Sequence, residues 1–436
     1  METTQERMIP RADETIARTN AQTQAREGSV DDSKLHVIVI GGGIGGLCLA
    51  QGLKKAGIAF TVFERDPAPT SRLQGYRLSM TPDGFEAIRK NLSDELWQRI
   101  ESATAPFTGG MAMVSEQLEE LMFIKTPKPE SAVRRFGSIS RIALREILLT
   151  GLGENVQFGK RFSRYDILDD QSLRCFFDDG SFTHGTLLVG ADGVNSQVRA
   201  QFMPSAERIK TGVCAISAKV PFDEITKRDY LQPPISDSVV IVDHKPQGMF
   251  LARHELDGDE GAYVFWSVGS SCTHFPANVD SLSPAELMRL ADQMTDGWHP
   301  RLKNMIRRAD PDSVLLLRFN TSPRVERWPP GRVTLMGDAI HSMPPSGGLG
   351  ANTALMDAAV LCEALHEFKA GRCDLVGSVG AYETRMFKYA FPAVAESMSN
   401  LRRMTNENLL TRRLGRAGMK VAGKLLGMRG PTPLEV

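Results

Sequence analysis

The chain has 436 residues, more than one average domain, and its 52 basic and 52 acidic side chains balance, which excludes a nucleic-acid footprint spread over the whole protein. Hydrophobic residues make up 42% of it, enough for a large core, so two domains or one domain with an insertion are expected. Six cysteines, Cys48, Cys175, Cys214, Cys272, Cys362 and Cys373, lie without C-x-x-C spacing, a pattern that predicts reduced, buried thiols of an intracellular protein and no metal site.

Residues 1–33 are polar and lack an apolar signal region, so they read as a disordered tail. No later stretch reaches about 18 apolar residues, and no spanning helix is expected. The first patterned segment is the run from Leu35 to Ile40, which is too short and too β-branched for a helix and reads as a strand buried on both faces. It leads into "GGGIGG". Here Gly41, Gly43 and Gly46 fit G-x-G-x-x-G, giving a tight turn, a close approach for a pyrophosphate and close packing of helix on strand. A helix ending near Gly57 then aims its free N–H groups at phosphates. The next strand, "AFTVFER", carries Glu64 and Arg65. A carboxylate roughly 20 residues beyond the glycines accepts ribose hydroxyls, so the whole unit predicts a dinucleotide site.

Farther on, "LLVGADGVNSQVR" (Leu187–Arg199) places Asp192 at a strand's carboxyl end, although Asp-Gly by itself is also a common turn. Residues 208–320 differ in composition. The segments "SDSVVIVD", "GMFLARHE" and "GAYVFWSVGS" alternate apolar and polar residues, as antiparallel strands with one solvated or ligand-facing side do. A third cofactor-like segment, "RVTLMGDAIHSMPPSGGLGANTALMDAAVLCEAL", runs strand, Gly337-Asp338, Pro-Gly loop, long helix. Asp338 is placed to accept hydroxyls of a polyol, and the amides of Gly350, Ala351 and Asn352 lie near a helix start, where they face negative charge.

Together these segments resemble the flavin-dependent aromatic hydroxylases of the para-hydroxybenzoate hydroxylase type, the single-component monooxygenases that include tetracycline-modifying and natural-product tailoring enzymes. The resemblance rests on the glycine motif with Glu64, on "GADGxxSxVR", and on "GDAxHxxPPxxGxGxN" from Gly337 to Asn352. It implies an α/β fold, a glutathione-reductase-like Rossmann FAD-binding domain (34–105, 135–207 and 321–400) with an inserted, mostly antiparallel substrate domain (106–134 and 208–320) and C-terminal helices. It also implies FAD and NADPH as cofactors. An oxygen atom from O2 would pass through a flavin C4a-hydroperoxide into an aromatic or polycyclic substrate, in the cytoplasm. Glu64 and Arg65 would meet the adenosine side, Arg141 of "SISRIALREIL" the FAD, Asp192 the pyrophosphate region and Asp338 the ribityl chain. Gly75 would let a loop approach the flavin edge, and Arg72 or Arg77 would either meet NADPH phosphates or simply be solvated on a surface loop. Gly348, Gly350, Ala351 and Asn352 would face the flavin, where the amides of Gly350 and Ala351 stabilise its reduced anion. Pro345, rigid and without an N–H, would wall the reacting edge. Phe250, Tyr263, Phe265 and Trp266 are candidates for the substrate pocket. The alternative is a flavoprotein that sequesters an intermediate or reports redox state without oxygenating anything.

The last segment, 401–436, reads as a basic amphipathic helix: from Leu401 to Arg429 there are eight basic residues against one acidic, Glu407. Leu410, Leu414, Val421 and Leu425 share one face. The favoured expectation is that this apolar stripe packs on the flavin domain; the alternative is an anionic membrane surface.

Overall fold

A computed structural model describes residues 35–69, 71, 77–107, 109–131, 133–232, 234–235, 237–254 and 261–427. The expected tail, Arg72 and Gly75 lie outside the described residues.

The described chain opens with β1 (His36–Ile40), α1 (Ile44–Lys55) and β2 (Ala59–Phe63). It departs for β3 (Gly110–Val114) and β4 (Glu120–Lys125), then returns through α2 (Arg141–Leu149), β5 (Val156–Gln157), β6 (Leu187–Gly190) and α3 (Gln197–Phe202). A second excursion holds β7 (Ile209–Pro221), β8 (Ser238–Val242), β9 (Gln247–His254), β10 (Tyr263–Ser271), α4 (Pro284–Met294), α5 (Pro300–Arg307) and β11 (Leu315–Thr321). Then come β12 (Val333–Leu335), the single-turn α6 (Asp338–His341) and the helices α7 (Leu349–Lys369), α8 (Leu375–Met404) and α9 (Leu409–Leu425).

One sheet has the order β12-β6-β1-β2-β5, with every pair parallel. Val37 to Ile40 of β1 are all buried, as a strand covered on both faces requires. The register pairs Val37 with Leu187 and Leu188 with Val333, so β6 lies between β1 and β12. The three sequence motifs, nearly 300 residues apart at their extremes, therefore leave the sheet side by side at its carboxyl edge. Ligands of open α/β sheets bind at that edge.

The second sheet has the order β11-β7-β10-β9-β8-β3-β4, antiparallel except between β3 and β8. Val264, Trp266 and Val268 point to one side, into a core shared with Leu287 of α4 and Leu302 and Ile306 of α5. The opposite face turns toward the edge of the first sheet.

Two expectations are overturned here. Cys214 and Cys272 form a disulfide with Cα atoms 5.1 Å apart, and Cys373 is exposed, so only Cys48, Cys175 and Cys362 are buried free thiols. The antiparallel register pairs Cys214 with Ser270, which brings Cys272, two residues on, across the strand from it. Second, α9 does dock on the protein, but on the edge of the second sheet rather than on the half built around the parallel sheet, where the expectation put it, and through its basic side. Arg412 is buried, and Arg416 and Lys420 pair with Glu116 and Glu119.

Candidate functional site

A cavity of about 1900 Å³ separates the carboxyl edge of the parallel sheet from the free face of the second sheet. A drug-sized ligand needs roughly 300–1,000 Å³, so the space suits a large cofactor and a substrate together.

The parallel-sheet side is built from turns and helix starts. Gly41 has φ +112°, and a Cβ there would stand 2.3 Å from the Ala191 carbonyl oxygen, so only glycine passes between β1 and β6. A Cβ on Gly46 would stand 2.1 Å from the Gly41 oxygen. Nothing in the protein lies within 4 Å of the corresponding position at Gly43, whose open side is on the cavity wall. Glu64, buried at the end of β2, accepts the Gly42 N–H (2.8 Å) and the Asp66 N–H (2.9 Å), one on each carboxylate oxygen. Each oxygen keeps a lone pair for a ribose hydroxyl. Gly41, Gly43, Gly46, Glu64, Arg65, Arg141, Asp192, Asp338, Pro345, Gly348, Gly350 and Ala351 all line this one cavity.

The helix starts carry a further pattern. Among the described α-helices, α1, α6 and α7 begin on Gly43, Gly337 and Gly348 with no side-chain cap. The other described α-helices have their first amides capped by a side chain: Ser140 caps α2, Asp374 α8 and Asn408 α9, for example. At α1 and α7 the uncapped first-turn N–H groups need an outside acceptor, whereas in the single-turn α6 the Ala339 and Ile340 N–H groups already reach the Met336 and Gly337 carbonyls (3.3 and 3.0 Å). All three uncapped starts open on the cavity. Asp192 supplies an orphaned atom of its own. One carboxylate oxygen accepts the N–H groups of Gln197 (2.7 Å) and Val198 (3.2 Å), while the other is buried without a partner. Burial raises its carboxyl's pKa. These features fit the phosphates and hydroxyls of FAD.

Asn352 is not on the cavity wall. Its side chain accepts the Thr81 N–H (2.9 Å) and donates to the Ser79 and Gly348 carbonyls (both 2.9 Å), tying the α7 start to the strand at Leu78–Met80. On the seven-stranded side, Phe250 and Phe265 are on the wall with ring centroids 6.3 Å apart. Trp266 is not; the alternation of β10 turns it into the opposite core, fully buried. Tyr263 shares the parity of Phe265 but sits at the strand's start, buried behind the wall, where its hydroxyl accepts the Arg77 N–H at 3.3 Å. Arg77 itself lines the cavity.

Several participants carried no decisive sequence signal. Arg145, readable as a solvated residue four after Arg141, donates to the Gly42 carbonyl (3.3 Å) and to that of Pro69, clamping the glycine loop. Arg199, the last residue of "GADGVNSQVR", is buried and donates to the Ala339 carbonyl at 2.7 Å, locking the second motif to the third. Ser397 of α8 donates to the carbonyls of Pro344 (2.5 Å) and Ser346 (3.1 Å), fixing the loop that carries Pro345. Asp357 of α7 accepts the Gly337 N–H (2.7 Å), the Tyr389 hydroxyl (2.7 Å) and His341 Nε2 (2.6 Å), which holds Gly337 at φ +59°. Burial alone would depress the His341 pKa; the Asp357 carboxylate outweighs it and raises the pKa. His254 is on the wall of the seven-stranded side, its ring 5.0 Å from that of Tyr263. Burial, with the positive charges of Arg77 and Lys219, pushes its pKa down to about 3, so it is neutral.

The carboxylates on the wall, Glu64, Asp66, Asp178, Asp192 and Asp338, all lie outside the seven-stranded sheet. The sheet contributes Met111, Met113, Val240, Phe250, Phe265 and Phe319, among others, with Ser238 and Ser267. No helix among the described residues is long and apolar enough to cross a membrane.

Comparison with known proteins agrees with this geometry. An NAD(P)-binding Rossmann-like domain matches residues 39–99, and an FAD binding domain matches residues 178–375. The dual O-methyltransferase/FAD-dependent monooxygenase elcB of Phaeosphaeria nodorum is 32% identical over 369 residues, which is 75% of this chain and 40% of that protein. The chain thus spans less than half the length of that relative. A solved structure assigned as an FAD-containing monooxygenase from Photorhabdus luminescens is 32% identical with a TM-score of 0.78, covering 85% of this chain and 98% of that one. Klebsiella pneumoniae HpxO, solved with FAD and uric acid, shares the fold at 23% identity and a TM-score of 0.76, over 90% of this chain and 95% of that one. This chain belongs to the FAD-dependent monooxygenases of the para-hydroxybenzoate hydroxylase type, with FAD as its cofactor.

Proposed function

We propose that the protein uses NADPH and O2 to insert one oxygen atom into an uncharged aromatic or polycyclic substrate of secondary-metabolite type, by hydroxylation or epoxidation. The observation that carries this reading is the join within one cavity: uncapped helix starts on one side, an apolar sheet face without carboxylates on the other. FAD, once bound and reduced, supplies the electrons that activate O2, with one oxygen atom entering the substrate and the other leaving as water.

The chain's own part is binding, orientation and exclusion of water. The glycine loop and α1 start take the pyrophosphate, Glu64 the ribose and Asp338 the ribityl hydroxyls. The free amides of Gly350 and Ala351 at the start of α7 stabilise negative charge on the reduced ring without a mobile counter-ion. Pro345 adds a rigid wall with no donor N–H, held by Ser397. Phe250 and Phe265 stack or edge against an aromatic substrate, and the sheet face around them keeps water from the reacting edge. Neutral His254 orients a polar ring substituent by hydrogen bonding.

The test is to incubate the purified holoprotein with NADPH, isotopically labelled O2 and a panel of aromatic, polyketide, terpenoid and alkaloid compounds. A product heavier by one labelled oxygen, with NADPH consumed in step, is the expected result. NADPH oxidation yielding only hydrogen peroxide across the panel would favour the non-oxygenating flavoprotein instead.

A further inference from the structure

Helix α9 is amphipathic in the inverted sense. Its inward side is cationic: Arg412, 5% exposed, donates to the carbonyls of Asp243 (2.5 Å), Gln247 (2.9 Å) and Met404 (2.7 Å). Arg416 reaches Glu116 at 2.9 Å, whose other oxygen contacts His244 Nδ1 at 3.1 Å, and Lys420 reaches Glu119 at 2.7 Å. Its outward side is apolar. Leu410, Leu414, Val421 and Leu425 are 66%, 65%, 56% and 79% exposed. At 3.6 residues per turn they fall within an arc of about 60°. A surface helix of a water-soluble domain does the opposite, burying its apolar stripe and solvating its charges. Packing on the protein and a lipid-facing stripe are thus not alternatives, because the two use opposite sides of the helix.

Two more observations say what covers the stripe. Arg413 and Lys424 border it on the helical wheel, and Asn408 to Gly427 contains no Asp or Glu. A second copy laid stripe to stripe would bring these cations together with no carboxylate on either helix to neutralise them, whereas lipid phosphates match them. Moreover, Thr411, Gly415 and Met419 of α9 line the active-site cavity, together with Arg403 and Asn406 just before it. The helix is therefore a wall one helix thick between the cavity and the surface that carries the stripe.

We propose that α9 seats the protein on an anionic lipid surface, with Leu410, Leu414, Val421 and Leu425 entering the headgroup–acyl boundary and Arg413 and Lys424 on lipid phosphates. The cavity's α9 wall then rests against the bilayer, the phase into which apolar polycyclic compounds partition. The seating rests on exposure and charge alone and stands whether or not the oxygenation reading does.

The full chain is tested by flotation with phosphatidylcholine vesicles with and without phosphatidylserine, next to a Leu414→Glu/Val421→Glu variant. The wild type is expected to float with phosphatidylserine vesicles and to be released by high salt. The double variant should bind roughly tenfold or more weakly. Both side chains are exposed, so thermal unfolding and flavin content of the variant should match the wild type, which separates lost binding from misfolding. No flotation of the wild type, or equal flotation of the variant, overturns the proposal. So does a wild-type dimer in size exclusion that the variant converts to monomer without any vesicle binding, since the cover would then be a second copy.

Discussion

The two walls of the cavity are made by different physics. On the parallel-sheet side each position has one job that few residue types can do: glycine where a Cβ would strike the Ala191 carbonyl, an acid at a strand end, a helix start left uncapped. On the seven-stranded side a whole sheet face is presented, and Met113, Val240 and Phe250 are there because they are apolar and have the right parity. Binding a fixed cofactor constrains residue identity position by position; enclosing a hydrophobic substrate constrains only shape and polarity. Substitutions should therefore fail differently on the two walls.

The largest expected effect is on neither wall. Trp266→Ala empties a fully buried site on the far side of β10 and should cost about 3–5 kcal/mol of folding stability. Its neighbour Phe265→Ala, on the cavity face, should leave flavin content near normal. It should lower kcat/KM by about five- to thirtyfold, equivalent to about 1–2 kcal/mol, through lost substrate contact. Thermal unfolding and steady-state kinetics on the pair check this. If Trp266→Ala were the stable, kinetically impaired variant and Phe265→Ala the unfolded one, the assignment of the sheet's two faces would be reversed.

That pair also marks where sequence reasoning stops. The alternation of "GAYVFWSVGS" predicts a two-faced strand, but which parity meets the ligand depends on α4 and α5, which cover the other face and are more than ten residues away along the chain. The fold class was legible, and so was the convergence of the glycines, Glu64, Asp192 and Asp338 on one cavity, because these positions are tied to strand ends and fixed spacing. Arg145 and Arg199 were not read as structural ties, because both act through backbone carbonyls, which leave no trace in sequence. The Cys214–Cys272 pair follows from strand register alone. For α9 the stripe was legible but its direction was not, because two of the carbonyls that bind Arg412, those of Asp243 and Gln247, lie 169 and 165 residues upstream.

On the cofactor wall, Asp338→Ala should remove a charge-assisted hydrogen bond to a ribityl hydroxyl. Such bonds contribute roughly 1.5–3 kcal/mol, which weakens FAD by about ten- to a hundredfold. Because Asp338 is exposed to the cavity, the flavin-free protein should unfold at nearly the wild-type temperature. Titration of FAD into flavin-free protein measures the first, and calorimetry of the same sample the second. A variant with unchanged flavin affinity would remove Asp338 from the cofactor wall.

The smallest effect is the most discriminating. Gly43 is the uncapped N-cap of α1 with φ −77°, and a Cβ there meets nothing within 4 Å. Ala fits that backbone. In the flavin-free protein, Gly43→Ala gains from reduced freedom of the unfolded chain and loses at a helix N-cap, two opposed contributions that leave stability within about 1 kcal/mol of wild type. The new methyl projects into the cavity where the proposed pyrophosphate site lies, so FAD affinity should fall even though the fold is untouched. By contrast, Ala at Gly41 or Gly46 meets backbone oxygens at 2.3 and 2.1 Å and should unfold the loop with or without flavin. Unfolding temperatures of flavin-free Gly43→Ala and Gly46→Ala, measured beside their FAD affinities, separate a glycine kept for the ligand from one kept for the fold. Wild-type FAD affinity in Gly43→Ala would mean that the pyrophosphate does not pass this loop.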